Sequence, residues 1–353
     1  MTTAEKVRQA LTEVMDPELH RNIVELGMVR DVEIEDSRVR FTLALTTLAC
    51  PLKDRITGNA RQALLALDGV EKVDIALAEM TAEERQQITP EGDYSGQAAQ
   101  LNRIKHVIAV MSGKGGVGKS LVSGLLAVAL RRQGKTVGVL DADITGPSIP
   151  KMFFPNGARP GASPMAILPA ESKTGIKVMS INLLLEREDQ AVIWRGPLIG
   201  GAIKQFWGDV LWGELDYLVV DLPPGTSDAS LTVMQSLPLS GVVLVTSPQS
   251  LAGMVVRKAA QMAQKLEIRT LGLVENMSYF VCPDTGKRHD IFGPSHGEQV
   301  ALQLSVPFLG RLPIDPEIAK LCDAGQLESY PAEAFASMAE RVVKAAPPAR
   351  QTG

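Results

Sequence analysis

From Ile104 onward the chain alternates between uninterrupted apolar runs and helical stretches. HVIAVMS (106–112), TVGVLD (136–141), YLVVDLP (217–223), GVVLVTS (241–247) and TLGLVENMS (270–278) lack the polar alternation of a half-exposed strand. Helical spacing follows the first run to about Arg132 and covers Leu251–Leu266. Strands apolar on both faces belong to a parallel sheet sandwiched between helices, so this part of the chain predicts an α/β fold with a mostly parallel sheet. Gly134 stands just past the first helix, where a C-cap glycine belongs.

Residues 1–88 carry a different pattern. A first amphipathic helix has Val7, Ala10, Leu11 and Val14 on one face. Strands follow near Met28–Ile34, Val39–Thr46 and Val70–Ala76, with a helix from about Leu52 to Leu67 before the last. This is a small α+β domain. The stretch Thr81–Leu101 is rich in Glu, Gln, Gly and Ala and reads as linker. The expected division is therefore an α+β domain over 1–88, a linker over 89–103, an α/β domain over 104–346 and a polar tail over 347–353.

Composition narrows the function classes. Hydrophobic residues make up 45% and charged residues 22% of 353, a globular balance at about 150 residues per domain. A formal net charge of −4 gives no general basic surface, so no nucleic-acid partner is expected. No apolar run approaches the roughly 20 residues that span a bilayer, the N-terminus does not read as a signal peptide, and the polar C-terminus does not read as an amphipathic anchor. No membrane partner is expected either. Three cysteines, Cys50, Cys282 and Cys322, make no disulfide framework and fit a reducing, cytoplasmic setting.

The strongest local signal is Gly113-Lys114-Gly115-Gly116-Val117-Gly118-Lys119-Ser120, lying directly after an apolar strand and directly before a helix. It fits G-x-x-x-x-G-K-[ST]. Its glycines let backbone N–H groups turn towards phosphates, and the helix beginning near Gly118 aims its positive end at them. Lys119 is expected on the β- and γ-phosphates of ATP, and the Ser120 hydroxyl on Mg²⁺. Lys114 resembles the extra lysine of the deviant Walker A loop, which in nucleotide-dependent dimers reaches the partner's phosphates. The alternative is a solvated loop lysine.

Two further strands end in carboxylates, Asp141-Ala142-Asp143 and Asp221-Leu222-Pro223-Pro224-Gly225, at the sheet edge that also carries the loop. Asp221 suits a Walker B role, holding Mg²⁺ through water, and Asp143 suits the positioning or deprotonation of an attacking water. Asp141 has a simpler alternative as the cap of a turn. Pro223–Asp228 makes a stiff, switch-like loop whose Gly225 N–H is placed to sense a γ-phosphate.

GKGGVGKS, DADITGPSIP, WRGP, DLPPGTSDA and NMSYFVCP, in that order, resemble the Mrp/ApbC/Nbp35 ATPases, the iron–sulfur cluster carrier proteins. DPELHRNIVELGMV and TTLACPLKDRI resemble the MIP18-type (DUF59) domain often fused in front of them. The resemblance covers nearly the whole chain. It implies the SIMIBI class of P-loop NTPase, a sheet of seven or eight strands, slow ATP hydrolysis and a nucleotide-gated homodimer. It implies that Lys114, Lys119 and Ser120 serve the phosphates, Asp143 is the switch I acid and Asp221 the switch II acid. Asn276 falls where related ATPases recognise adenine, with a buried structural asparagine as the alternative.

The family's thiols follow NMSYF as Cys-x-x-Cys, and two subunits bridge a [4Fe–4S] cluster. Here the segment reads Cys282-Pro283-Asp284-Thr285, with threonine at the second position. Cys282 is the candidate cluster ligand, and Asp284, His289, His296 or a small thiol could complete the set. The other readings are a structural thiol for Cys282 and ordinary loop histidines. Cys50, at the front domain's motif cysteine, is either a second working thiol or a half-buried hydrophobe. Cys322 matches no motif and reads as filler. Three functions follow: a cluster carrier serving apo iron–sulfur proteins and a cluster-assembly scaffold, a nucleotide-gated scaffold without a stable cluster, or a positioning ATPase of the MinD/ParA type. The last has no use for NMSYFVCP or the front domain.

Overall fold

The computed structural model describes residues 3–15, 22–45, 53–81, 98–143, 146–163, 166–184, 196–226, 228–331 and 333–349. Cys50, Trp194 and Arg195, most of the expected linker and residues 350–353 lie outside that set. The chain divides into two compact units, Met1–Gly92 and Asp93–Gly353.

In the first unit, α1 (Ala4–Leu11) starts on a Thr3 N-cap and buries Val7 and Leu11. Strands β1 (Val29–Glu35), β2 (Arg38–Leu45) and β3 (Lys72–Glu79) form one sheet in the order β1-β2-β3, with α2 (Lys53–Leu65) crossing between the last two. β1 pairs with β2 antiparallel, and β2 with β3 parallel. The alternation along β2 sends Val39, Phe41 and Leu43 into a core shared with Ile23, Ile56 and Leu64.

The second unit holds a nine-stranded sheet among the described residues. Its main strands are β4 (Arg103–Ser112), β5 (Val137–Asp141), β9 (Lys177–Ser180), β10 (Glu214–Asp221), β11 (Gly241–Thr246), β12 (Thr270–Val281) and β14 (Phe308–Ile314). All seven run parallel to their neighbours in the order β14-β12-β11-β4-β10-β5-β9. Two-residue strands β8 (Ala170–Glu171) and β13 (Arg288–His289) add antiparallel pairings. They raise the count above the seven or eight implied by the resemblance. A separate short ribbon joins β6 (Gly161–Ala162) and β7 (Ile167–Leu168).

Both faces of this sheet are covered, as the unbroken apolar strands require. Along β4, Ile108 and Val110 enter one core while Val107, Ala109 and Met111 enter the other. The first core is closed by α3 (Lys119–Arg132), α4 (Ile149–Phe153), α9 (Pro316–Asp323) and α10 (Glu333–Ala345). The second is closed by α5 (Gly196–Gly208), α6 (Asp228–Ser236), α7 (Ser250–Lys265) and α8 (Gly297–Gln303). At the end of α3, Gly134 N–H bonds to the Arg131 carbonyl and Lys135 N–H to that of Leu130, a Schellman closure at the expected glycine.

Two segments expected to be unstructured are built into the fold. Ala98 is buried, and the Asn102 side chain donates to the Val210 carbonyl and accepts from Gly213 N–H. At the other end Ala349 N–H donates to the Lys105 carbonyl at 2.7 Å, and His106 Nδ1 lies 2.8 Å from the Pro347 carbonyl while its ring stacks on Tyr217. Backbone groups make most of these contacts, and a polar composition does not reveal backbone hydrogen bonding.

Candidate functional site

The loop between β4 and α3 sits at the carboxyl edge of the sheet, with β10 on one side of β4 and β11 on the other. Gly118 caps α3 with φ of +78°, and a Cβ there would overlap the Asn276 amide. At Gly113 the obstacle is the Val255 backbone of α7. A Cβ on Gly116 meets nothing within 4 Å, so the loop is clamped beneath and open above. Asn276 Nδ2 donates to the Val117 carbonyl at 2.9 Å from a position 1% exposed. The side-chain amide is thus a structural clamp on the loop.

Beneath the loop the acidic strand ends converge. Asp221 and Asp141 are register partners on β10 and β5, so two buried carboxylates stand side by side. Lys119 Nζ lies 2.7 Å from Asp221 Oδ2. Ser120 Oγ donates to the same oxygen at 2.5 Å, and Ser123 Oγ donates to Oδ1 at 2.6 Å. Asp141 accepts from the N–H groups of Asp143, Ser148 and Ile149 and from the Ser180 hydroxyl. It therefore ties down the loop after β5 and the start of α4, as the turn-capping alternative holds. Burial first, and then the neighbouring Asp221 charge, raise its pKa above the usual carboxylate range. Asp143 is 8% exposed, and its Oδ1 accepts from Gly146 N–H at 3.3 Å.

The remaining loop groups divide by exposure. Lys114 is exposed, which both sequence readings of it allow. Gly225 N–H, expected to sense a γ-phosphate, instead donates to the Ser112 carbonyl at 3.0 Å, because β4 and the turn after β10 close against each other here. Glycine backbone, an ammonium, a hydroxyl and a carboxylate one bond away together suit a Mg²⁺–nucleotide phosphate group.

Cys282 lies just past the end of β12, six residues after Asn276. Its N–H donates to the Lys287 carbonyl and its carbonyl accepts from Gly286 N–H, so the thiol sits at the head of a tight turn. Arg288 stacks 3.9 Å over the Tyr279 ring and braces the ribbon. The Thr285 hydroxyl, and then the N–H groups of Thr285 and Asp284, donate to the sulfur and hold the Cys282 thiol below its ordinary pKa. Thr285 thus acts on the sulfur as a donor. His289 is exposed on β13 opposite Phe280, whereas His296 lines a cavity of about 300 Å³ with Arg257, Glu275 and Gln299. Among the described residues no three His, Cys, Asp or Glu side chains are grouped as a metal site would require. Cys322 packs against the core of α9 and α10, and burial pushes its thiol up to about 11.

Sequence reasoning missed Ser123. The signal was available: it is a polar residue in the apolar run of α3, three positions after Ser120 and four after Lys119, on the same helix face.

Residues 103–346 match the family model described as NUBPL iron-transfer P-loop NTPase, and residues 4–75 match that of an iron–sulfur cluster assembly protein. The iron–sulfur cluster carrier protein of Synechocystis sp. is 44% identical over 352 residues, covering 97% of each chain. That of Deinococcus radiodurans is 42% identical over 337 residues, covering 95% of this chain and 92% of its own. A solved nucleotide-binding protein of Archaeoglobus fulgidus, in complex with ADP, is 45% identical with a TM-score of 0.60, covering 67% of this chain and 93% of that one. No helix among the described residues is long and apolar enough to cross a membrane. The chain belongs to the NUBPL-type iron-transfer P-loop NTPases, ATPases with a mostly parallel sheet, and carries an iron–sulfur cluster assembly domain in front.

Proposed function

We propose that this chain is an ATP-hydrolysing iron–sulfur cluster carrier, working in the cytoplasm as a nucleotide-gated homodimer that passes a [4Fe–4S] cluster from an assembly scaffold to apo-proteins. One observation carries the reading: Asn276, which holds the phosphate loop, and Cys282, which presents a thiol, belong to one strand and its immediate extension. A shift of the loop on nucleotide binding is felt midway along β12, and the braced ribbon transmits it to the sulfur.

Within this reading Lys119 and the loop amides bind the phosphates, and Ser120 and Asp221 hold Mg²⁺, Asp221 through water. Bound there, Mg²⁺ would neutralise charge on the β- and γ-phosphate oxygens. Asp143 orients the attacking water, Lys114 reaches the partner subunit's phosphates, and the Asn276 carbonyl accepts from the adenine amine. The cluster is cargo, held by Cys282 of each protomer.

One thiol in the Cys282-Pro283-Asp284-Thr285 segment, with threonine at the family's second thiol position, supports a second reading: a scaffold that binds nucleotide and keeps no stable cluster. Anaerobic reconstitution separates the two. About four irons per dimer, lost in Cys282→Ala, supports the carrier. Iron that is absent, or indifferent to Cys282, overturns it in favour of the scaffold.

A further inference from the structure

The two oxygens of the Asp221 carboxylate have different partners. Oδ2 receives Lys119 Nζ and the Ser120 hydroxyl, the two groups that a Mg²⁺–nucleotide complex would draw away. Oδ1 receives the hydroxyl of Ser123, which the nucleotide reading gives no other task. Ser123 is fully buried on α3, one helical turn below the loop. We propose that Ser123 is a positioning residue for the ATPase centre: it fixes Oδ1 of Asp221 so that Oδ2 stays aimed at the metal's water when Lys119 and Ser120 turn to the nucleotide. The inference rests on the Mg²⁺–ATP reading of the loop.

The chemistry favours this division. A carboxylate rotates easily about its last torsion, because that well is broad and two-fold. A hydroxyl 2.6 Å from one oxygen, in a charge-assisted bond, removes the freedom. Ser123 Oγ also lies 3.1 Å from the Lys119 carbonyl, four residues back on its own helix. Its single proton therefore has a second acceptor, and a displaced Asp221 does not strand a buried hydroxyl. The Lys119 carbonyl belongs to the residue whose side chain leaves Asp221 on loading.

The test uses the full chain, with Ser123→Ala and Ser123→Thr beside wild type. Affinity for a fluorescent ADP is read with excess Mg²⁺ and with EDTA, followed by kcat and KM for ATP. Outer partners of metal ligands commonly contribute about tenfold to a hundredfold in metal affinity or activity. Ser123→Ala should keep its EDTA affinity, lose about tenfold of the Mg²⁺-dependent gain with a matching rise in KM, and lower kcat about tenfold. Ser123→Thr, which keeps the hydroxyl, should retain the Mg²⁺ gain. A Ser123→Ala protein with the wild-type Mg²⁺ gain overturns the inference, as does one weakened equally with and without Mg²⁺. A wild-type chain whose affinity ignores Mg²⁺ overturns the Mg²⁺ reading and this inference together.

Discussion

Asn276 holds the phosphate loop from below: its Nδ2 donates to the Val117 carbonyl at 2.9 Å, and the same amide occupies the space that a Cβ on Gly118 would need. Removing the amide leaves a buried carbonyl unpaired, at about 1–2 kcal/mol. Asn276→Ala should therefore weaken ADP binding by about tenfold in calorimetry. Gly118→Ala should be worse, because it adds left-handed strain to the overlap. In the Asn276→Ala background its added loss should shrink, since the obstacle is gone. Strict additivity of the two changes would refute the contact.

The two loop lysines should separate cleanly. Lys119 is the cation beside the paired carboxylates Asp221 and Asp141. Lys119→Ala should abolish nucleotide binding and destabilise the protein by about 3–5 kcal/mol, the usual cost of breaking a buried ion pair from one side. Lys114 is exposed, so Lys114→Ala should leave the melting temperature and ADP affinity unchanged while removing turnover. Full turnover in that variant would sink the role in trans.

Asp141 predicts a pH dependence of stability. Its folded pKa is raised above its unfolded value, by burial first and by Asp221 second. Such a group contributes its stability below the unfolded pKa, near 4, and loses it as pH rises through the folded pKa. Without nucleotide, the melting temperature should fall between pH 5 and the alkaline side of neutrality. Asp141→Asn should melt lower overall, since it disturbs the capped turn, but with a flatter profile. An unchanged slope in the variant would assign the effect elsewhere.

Cys282 and Cys322 should differ in reactivity. The Thr285 hydroxyl and two backbone N–H groups lower the Cys282 pKa, so its thiolate fraction at pH 7 exceeds that of an ordinary thiol. Cys322, pushed up to about 11 by burial, should stay almost unmodified. Iodoacetamide labelling mapped by peptide mass should find Cys282 reacting first. Thr285→Val should move its rate–pH curve to higher pH. A curve that does not move would mean that Thr285 does not govern the sulfur.

The phosphate loop was legible because eight consecutive residues carry it, with a strand before and a helix after. Asp141, Asp143 and Asp221 were legible because each stands where an apolar strand stops. The partnership of Ser123 with Asp221 was not, since 98 residues separate them and only the crossover from α3 to β10 brings them together. Strand β14 escaped notice because Gly310 and Pro313 interrupt its apolar pattern. The edge strands β8 and β13 are two residues each, too short for any period to appear. The docked segment at Pro347 and Ala349 was read as tail because its contacts run largely through the backbone, which side-chain composition does not report.

That docked segment has a consequence for how the molecule is made. Strand β4 delivers the phosphate loop, yet its opening residues are fastened by groups 241 positions further along the chain. During synthesis the strand that leads into the nucleotide site emerges early and waits, edge unfinished, until nearly all of the second unit has followed. The first unit, with its own sheet and core, has no such delay. Contacts this distant in sequence slow folding. The order of translation therefore favours an order of completion, since the front unit has its own contacts within reach before those that fasten β4 are synthesised.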